Sequence, residues 1–179
     1  MRYMFVCLVL ILAPFMASAE NIVARSYTLQ KHGTLELKVP ESWGDSITQP
    51  PSELPPTIKL SPKNGAQFTI LATPIWLAQA DIKSPTPDEL RATVRQAADI
   101  ALLQSMEDSI EIKELKGPTN TGYYFTATDQ APQPGEFKHL NQGIIAVKDL
   151  LVSFTILTND GQEAIVKEAL SLLSSAERH

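Results

Sequence analysis

Residues 143–157 read GIIAVKDLLVSFTIL, two apolar runs separated by Lys148 and Asp149. β-branched and aromatic side chains suit a pleated surface and the charged pair marks a reversal, so the stretch is expected to be a β-hairpin. In the first run Ile144 and Ala146 point one way while Ile145 and Val147 point the other. In the second, Val152, Phe154 and Ile156 oppose Leu151, Ser153, Thr155 and Leu157. Both faces are largely apolar. A strand wetted on one side would alternate apolar with charged residues, so this hairpin is expected in the middle of a sheet covered on both sides.

The flanking sequence supplies that cover. Downstream, Asp160-Gly161-Gln162-Glu163 has the form of a capping box, and Ile165, Val166, Ala169, Leu172 and Leu173 form the apolar stripe of a terminal helix. Upstream, Thr86-Pro87-Asp88-Glu89 opens a second helix running to about Met106, with Leu90, Val94, Ala97, Ala98, Ala101 and Leu102 on one face. Strands are expected at 21–29, 34–39, 57–61, 67–74, 110–115 and 122–128. Asn64-Gly65 turns one hairpin, Pro40 ends another strand, and the four prolines of QPPSELPP (49–56) make a stiff loop. Successive hairpins imply antiparallel pairing. The expected fold is α+β: an α/β/α sandwich with a mainly antiparallel central sheet and helices on both faces.

Residues 1–19 have the form of an export signal that does not join the fold. Arg2 precedes an apolar run from Met4 to Phe15, too short to span a bilayer comfortably, and Ala17-Ser18-Ala19 is a small-x-small cleavage site. A single domain, 20–179, would then be released into the periplasm without stable membrane insertion. Cys7 lies inside the leader, so the domain contains no cysteine and must be held by its apolar core. Without Arg2 it carries 14 basic against 20 acidic residues and no basic cluster, which argues against nucleic acid or anionic lipid as its main partner.

Chemistry is sparse. The sequence shows no nucleophile elbow, phosphate-binding glycine loop or dinucleotide fingerprint, and no cofactor is expected. The charged pairs Asp88-Glu89 and Glu107-Asp108 belong to helix ends. One metal site is conceivable, from Asp129, Glu136 and His139 in the loop entering the central hairpin, because imidazole and carboxylates are Zn²⁺ ligands. Trp43 has two readings, a plug at the end of the core or an exposed anchor, of which the plug is preferred. Trp76 and Leu77 fall in an expected sheet-to-helix link, where a bulky apolar pair either packs under the helix or meets a protein partner.

The run Leu35-Glu36-Leu37-Lys38-Val39-Pro40-Glu41-Ser42-Trp43 resembles the strand, proline and tryptophan of the PsbP-like and DcrB-like superfamily. The Asn64-Gly65 hairpin, the Thr86 helix, Gly122-Tyr123-Tyr124-Phe125 and the closing helix follow in that group's order. The group includes the extrinsic PsbP subunit of a photosystem, exported bacterial proteins and a nuclear Ran-binding protein. The resemblance implies an α/β/α sandwich that docks on a larger assembly and has no shared active site. The expected function is therefore a non-catalytic accessory protein with a protein partner in the cell envelope, an assembly factor or immunity-type protein, with Trp76 and Leu77 as the docking pair. The alternative is a binder of a small ligand or metal.

Overall fold

The computed structural model describes residues 20–51, 54–65, 67–76 and 84–179. The leader, 1–19, and Leu77 lie outside the described residues. The strands are β1 (Ile22–Thr28), β2 (Thr34–Pro40), β3 (Trp43–Thr48), β4 (Thr57–Pro62), β5 (Thr69–Trp76), β6 (Lys113–Lys116), β7 (Thr121–Thr128), β8 (His139–Val147), β9 (Leu150–Thr158) and β10 (Glu177–Arg178). Helix α1 (Pro87–Leu102) lies between β5 and β6, helix α2 (Glu163–Ser174) between β9 and β10, and a 3-10 turn, Gln30–His32, joins β1 to β2.

The 143–157 stretch does lie at the centre. Seven strands run in the order β3-β4-β5-β9-β8-β7-β6, all antiparallel neighbours, with β9 in the middle. Val147 faces Leu150 across the turn, where Lys148 takes φ +54°, and no residue of β8 or β9 is exposed.

Instead of one sheet, the described strands form two. β1 and β2 pair along their whole length, from Ile22 opposite Pro40 to Thr28 opposite Thr34, and β10 adds to the far side of β2. The chain changes sheets at Glu41 and Ser42. Proline cannot extend a ladder, and Trp43 beyond it pairs with Pro62 of β4. The Arg25 guanidinium bridges the step, donating to Asp45 Oδ1 at 2.6 Å and to the carbonyl oxygen of Trp43 at 2.6 Å.

Two apolar clusters hold the layers. The larger joins Leu35, Leu37 and Val39 of β2 to Ile70, Val152, Phe154 and Ile156, with Ala169, Leu172 and Leu173 of α2. The smaller sets Val94 and Ala98 of α1 against Ile110, Ile112, Phe125 and Ala127. β8 contributes to both, Ile145 and Val147 to the first and Leu140 and Ile144 to the second.

Trp43 is buried, its ring tilted against Phe68 at 4.8 Å, in agreement with the plug reading. Elsewhere the elements shift from expectation. β3 and the two-residue β10 are additional strands, and α1 ends at Leu102. Ile110 and Ile112 pack into the smaller cluster ahead of β6 instead of lying in a strand, because burial there satisfies them without a ladder. Among the described residues no helix is long and apolar enough to cross a membrane.

Candidate functional site

Trp76 is the last residue of β5, opposite Leu150, and not part of a link. Its ring packs at the edge of the larger cluster and stacks on His32 with centroids 4.1 Å apart and planes 15° from parallel. It is therefore half-buried and held from two sides. At the same end of the sheet, past the β8–β9 turn, a cavity of about 280 Å³ is walled by Lys38, Lys148, Glu177, Arg178 and His179. Its cations are engaged. Arg178 Nε meets Asp149 Oδ1 at 3.0 Å, Lys148 Nζ donates to the Arg178 carbonyl oxygen at 2.8 Å, and Lys38 Nζ donates to Glu177 Oε1 at 2.9 Å.

Asp129, Glu136 and His139 do not come together. Asp129 Oδ1 accepts from the Ala131 amide at 2.8 Å and Glu136 Oε2 from the Gln133 amide at 2.9 Å, so each carboxylate closes its own loop turn. His139 Nε2 instead shares a hydrogen bond of 2.8 Å with Asp160 Oδ1, and its Nδ1 lies 3.4 Å from Thr128 Oγ1. Lys138 also binds Asp160, at 2.9 Å, and the hydrogen bonds from Lys138 and then His139 hold that carboxyl below the usual range. This engagement explains why Asp160 does not cap α2. The helix begins after Gln162, with no side-chain cap bond. Among the described residues, the one set of three carboxylate and imidazole groups whose ligand atoms all lie within 4.8 Å of one another is Glu36, Glu177 and His179.

A second surface escaped the sequence reading. Ile100, Leu103 and Met106 are 71 %, 80 % and 65 % exposed at the end of α1. Ile100 lies in the last turn of α1, Leu103 is its C-cap and Met106 follows in the segment beyond, so the three escape a reading in which the buried face of Leu90, Val94 and Ala98 already accounts for the helix. The backbone beneath is pinned. The Met106 amide donates to the Thr128 carbonyl oxygen at 2.8 Å, the Gln130 amide donates to that of Gln104 at 3.1 Å, and Glu107 Oε2 accepts from the Thr128 amide at 3.0 Å. Burial pushes the Glu107 carboxyl up, but hydrogen bonds from Thr128 first, with its own amide and Ser105, together leave the group below its ordinary value. Three large apolar side chains are thus held in water on a fixed support.

No family model matches the chain, and no curated protein matches it in sequence. Its fold is similar to that of the solution structure of cyanobacterial PsbP (CyanoP) from Synechocystis sp. PCC 6803. The TM-score is 0.54 and the identity 13 %, over 94 % of this chain and 99 % of that one. At that identity the likeness is one of architecture: this chain has a PsbP-like fold.

Proposed function

We propose that the chain is an exported accessory protein that docks on a larger protein assembly in the cell envelope and catalyses no reaction itself. The observation that carries this reading is the exposure of Ile100, Leu103 and Met106 at the pinned end of α1, since large apolar side chains held in water are stabilised by a partner that covers them. The leader-like character of residues 1–19 supports export to the periplasm and a mature domain of 20–179. The PsbP-like fold supports an accessory role, through the docking behaviour that the family resemblance implies. The division of β8 between two clusters supports reading the layers as an α/β/α sandwich, α1 over one face of the large sheet and α2 over the other. Trp76, oriented by its stack on His32, is proposed with Leu77, which follows it in sequence, as a separate contact point: Trp76 pairs with Leu150 at the turn end of the sheet, whereas Met106 is bonded to Thr128 at the other end.

The test is affinity capture of the tagged full chain from its native envelope after mild crosslinking, beside Leu103→Glu and Trp76→Ala. Capture of one protein by the wild type, its loss with Leu103→Glu and a several-fold reduction with Trp76→Ala are the expected results, with Leu103→Glu melting within a few degrees of wild type. A partner retained by both variants would refute the assignment.

A further inference from the structure

We propose that Glu36, Glu177 and His179 form a binding site for a divalent transition-metal cation of the Zn²⁺ type on the outer face of the three-stranded sheet. Independent of the docking reading, the site follows from strand geometry. Glu36 and Glu177 are directly opposite one another in the β2–β10 register. Residues two apart on a strand share a face, which brings His179 beside Glu177 and sends Arg178 the other way, toward Asp149. The ladder continues through His179, whose amide donates to the Thr34 carbonyl oxygen at 2.9 Å while the Thr34 amide donates back at 2.8 Å. All three ligands therefore stand on paired backbone.

The ligand atoms are close to a coordination shell. His179 Nε2 lies 3.8 Å from Glu177 Oε2 and 4.0 Å from Glu36 Oε2. Ligands bound to one Zn²⁺ at about 2.0–2.2 Å in a tetrahedron stand about 3.3–3.5 Å apart, a closure that side-chain rotation supplies. The Lys38 ammonium grips Glu177 by Oε1, which holds the carboxylate in place and leaves Oε2 turned toward His179. Glu36 lacks a bonded partner: its side chain is 25 % exposed and among the described residues it accepts no hydrogen bond, with His179 Nε2 4.0 Å away and the Lys38 ammonium, bonded to Glu177 Oε1, acting on it only by charge. Two carboxylates face to face on a strand pair repel, and a dication between them turns that repulsion into attraction. One imidazole nitrogen with two carboxylate oxygens suits Zn²⁺ better than Ca²⁺ or Mg²⁺, which favour all-oxygen shells, and water would complete the fourth position.

The experiment is calorimetric titration of Zn²⁺ into the chelator-stripped full chain. One Zn²⁺ per chain in the micromolar range is expected, with millimolar Ca²⁺ and Mg²⁺ failing to compete. Glu36→Gln and His179→Ala should each weaken binding at least tenfold, and His139→Ala should leave it unchanged. On the wild-type protein, Mn²⁺ should broaden the amide resonances of residues 34–38 and 177–179 before those of 129–139, a readout that does not depend on the variants folding. Absence of micromolar binding would overturn the proposal. So would binding that survives both substitutions, binding lost with His139→Ala, or broadening centred on 129–139.

Discussion

Tyr27 places its hydroxyl in the interior at 3 % exposure, beside Asp45 and Arg25 but in well-formed hydrogen-bond geometry with neither. Asp45 is near enough to act on it by charge, but Arg25 already holds that carboxylate at 2.6 Å. Burial first, and the Asp45 charge second, push the phenol above its ordinary 10.0. A folded pKa above the unfolded one means that the neutral phenol supports the fold fully below about pH 10, and that this support is lost as pH climbs through the folded value. Tyr27→Phe is therefore expected to leave stability at pH 7 unchanged or raised by up to about 1 kcal/mol, and to flatten the alkaline loss. Urea unfolding at pH 7 and at pH 11 measures both, and a clear loss at pH 7 would mean that the hydroxyl has a partner. The candidate ligands illustrate what can be read at this scale. Asp129 and Glu136 look paired because they are close along the chain, yet each turns to an amide two or three residues away. Glu36 and His179 are far apart in sequence and meet only because β10 pairs with β2, which composition and spacing do not encode.

At the scale of elements, strong local patterns were legible. The Thr86 cap forms as read, its hydroxyl accepting from the Glu89 amide while Glu89 Oε2 accepts from the Thr86 amide at 2.7 Å. The similar pattern at Asp160 fails because Lys138 and His139, brought in by β8, compete for the carboxylate. β3 was missed because WGDSIT offers few β-branched residues, and its strand character comes from pairing with β4. The central hairpin was legible because both of its faces are apolar. Its tightest point is Gly143, where a Cβ would run into the Tyr123 carbonyl oxygen and come within 2.6 Å of Tyr124 Cβ and 2.8 Å of Phe154 Cζ. Those neighbours belong to paired strands and cannot step aside separately. Gly143→Ala is expected to cost about 1–3 kcal/mol in chemical denaturation. A neutral result would show that β7, β8 and β9 shift together to admit a methyl group.

At the scale of the molecule, the joint between the two sheets depends on buried polar contacts that no local pattern announces. The Asn120 side chain, 3 % exposed, donates through Nδ2 to the carbonyl oxygens of Ser174 at 3.0 Å and Ala176 at 2.7 Å. It thereby ties the start of β7 to the segment leaving α2, and so fixes where β10 begins. Gly117 permits the same approach, since a Cβ there would collide with the Ser174 backbone. Asn120→Ala should leave both carbonyls without that donor and cost about 2 kcal/mol or more in urea unfolding. Asn120→Asp should be worse, because a carboxylate would face two carbonyl oxygens. The discriminating measurement is hydrogen exchange at the His179 amide, bonded to Thr34 across the β2–β10 ladder. If Asn120 anchors β10, that amide loses protection in the alanine variant while amides in the central β8–β9 ladder keep most of theirs. Uniform loss across both sheets would instead place Asn120 in the common core, with β10 held by its ladder and by the Lys38–Glu177, Lys148–Arg178 and Arg178–Asp149 contacts.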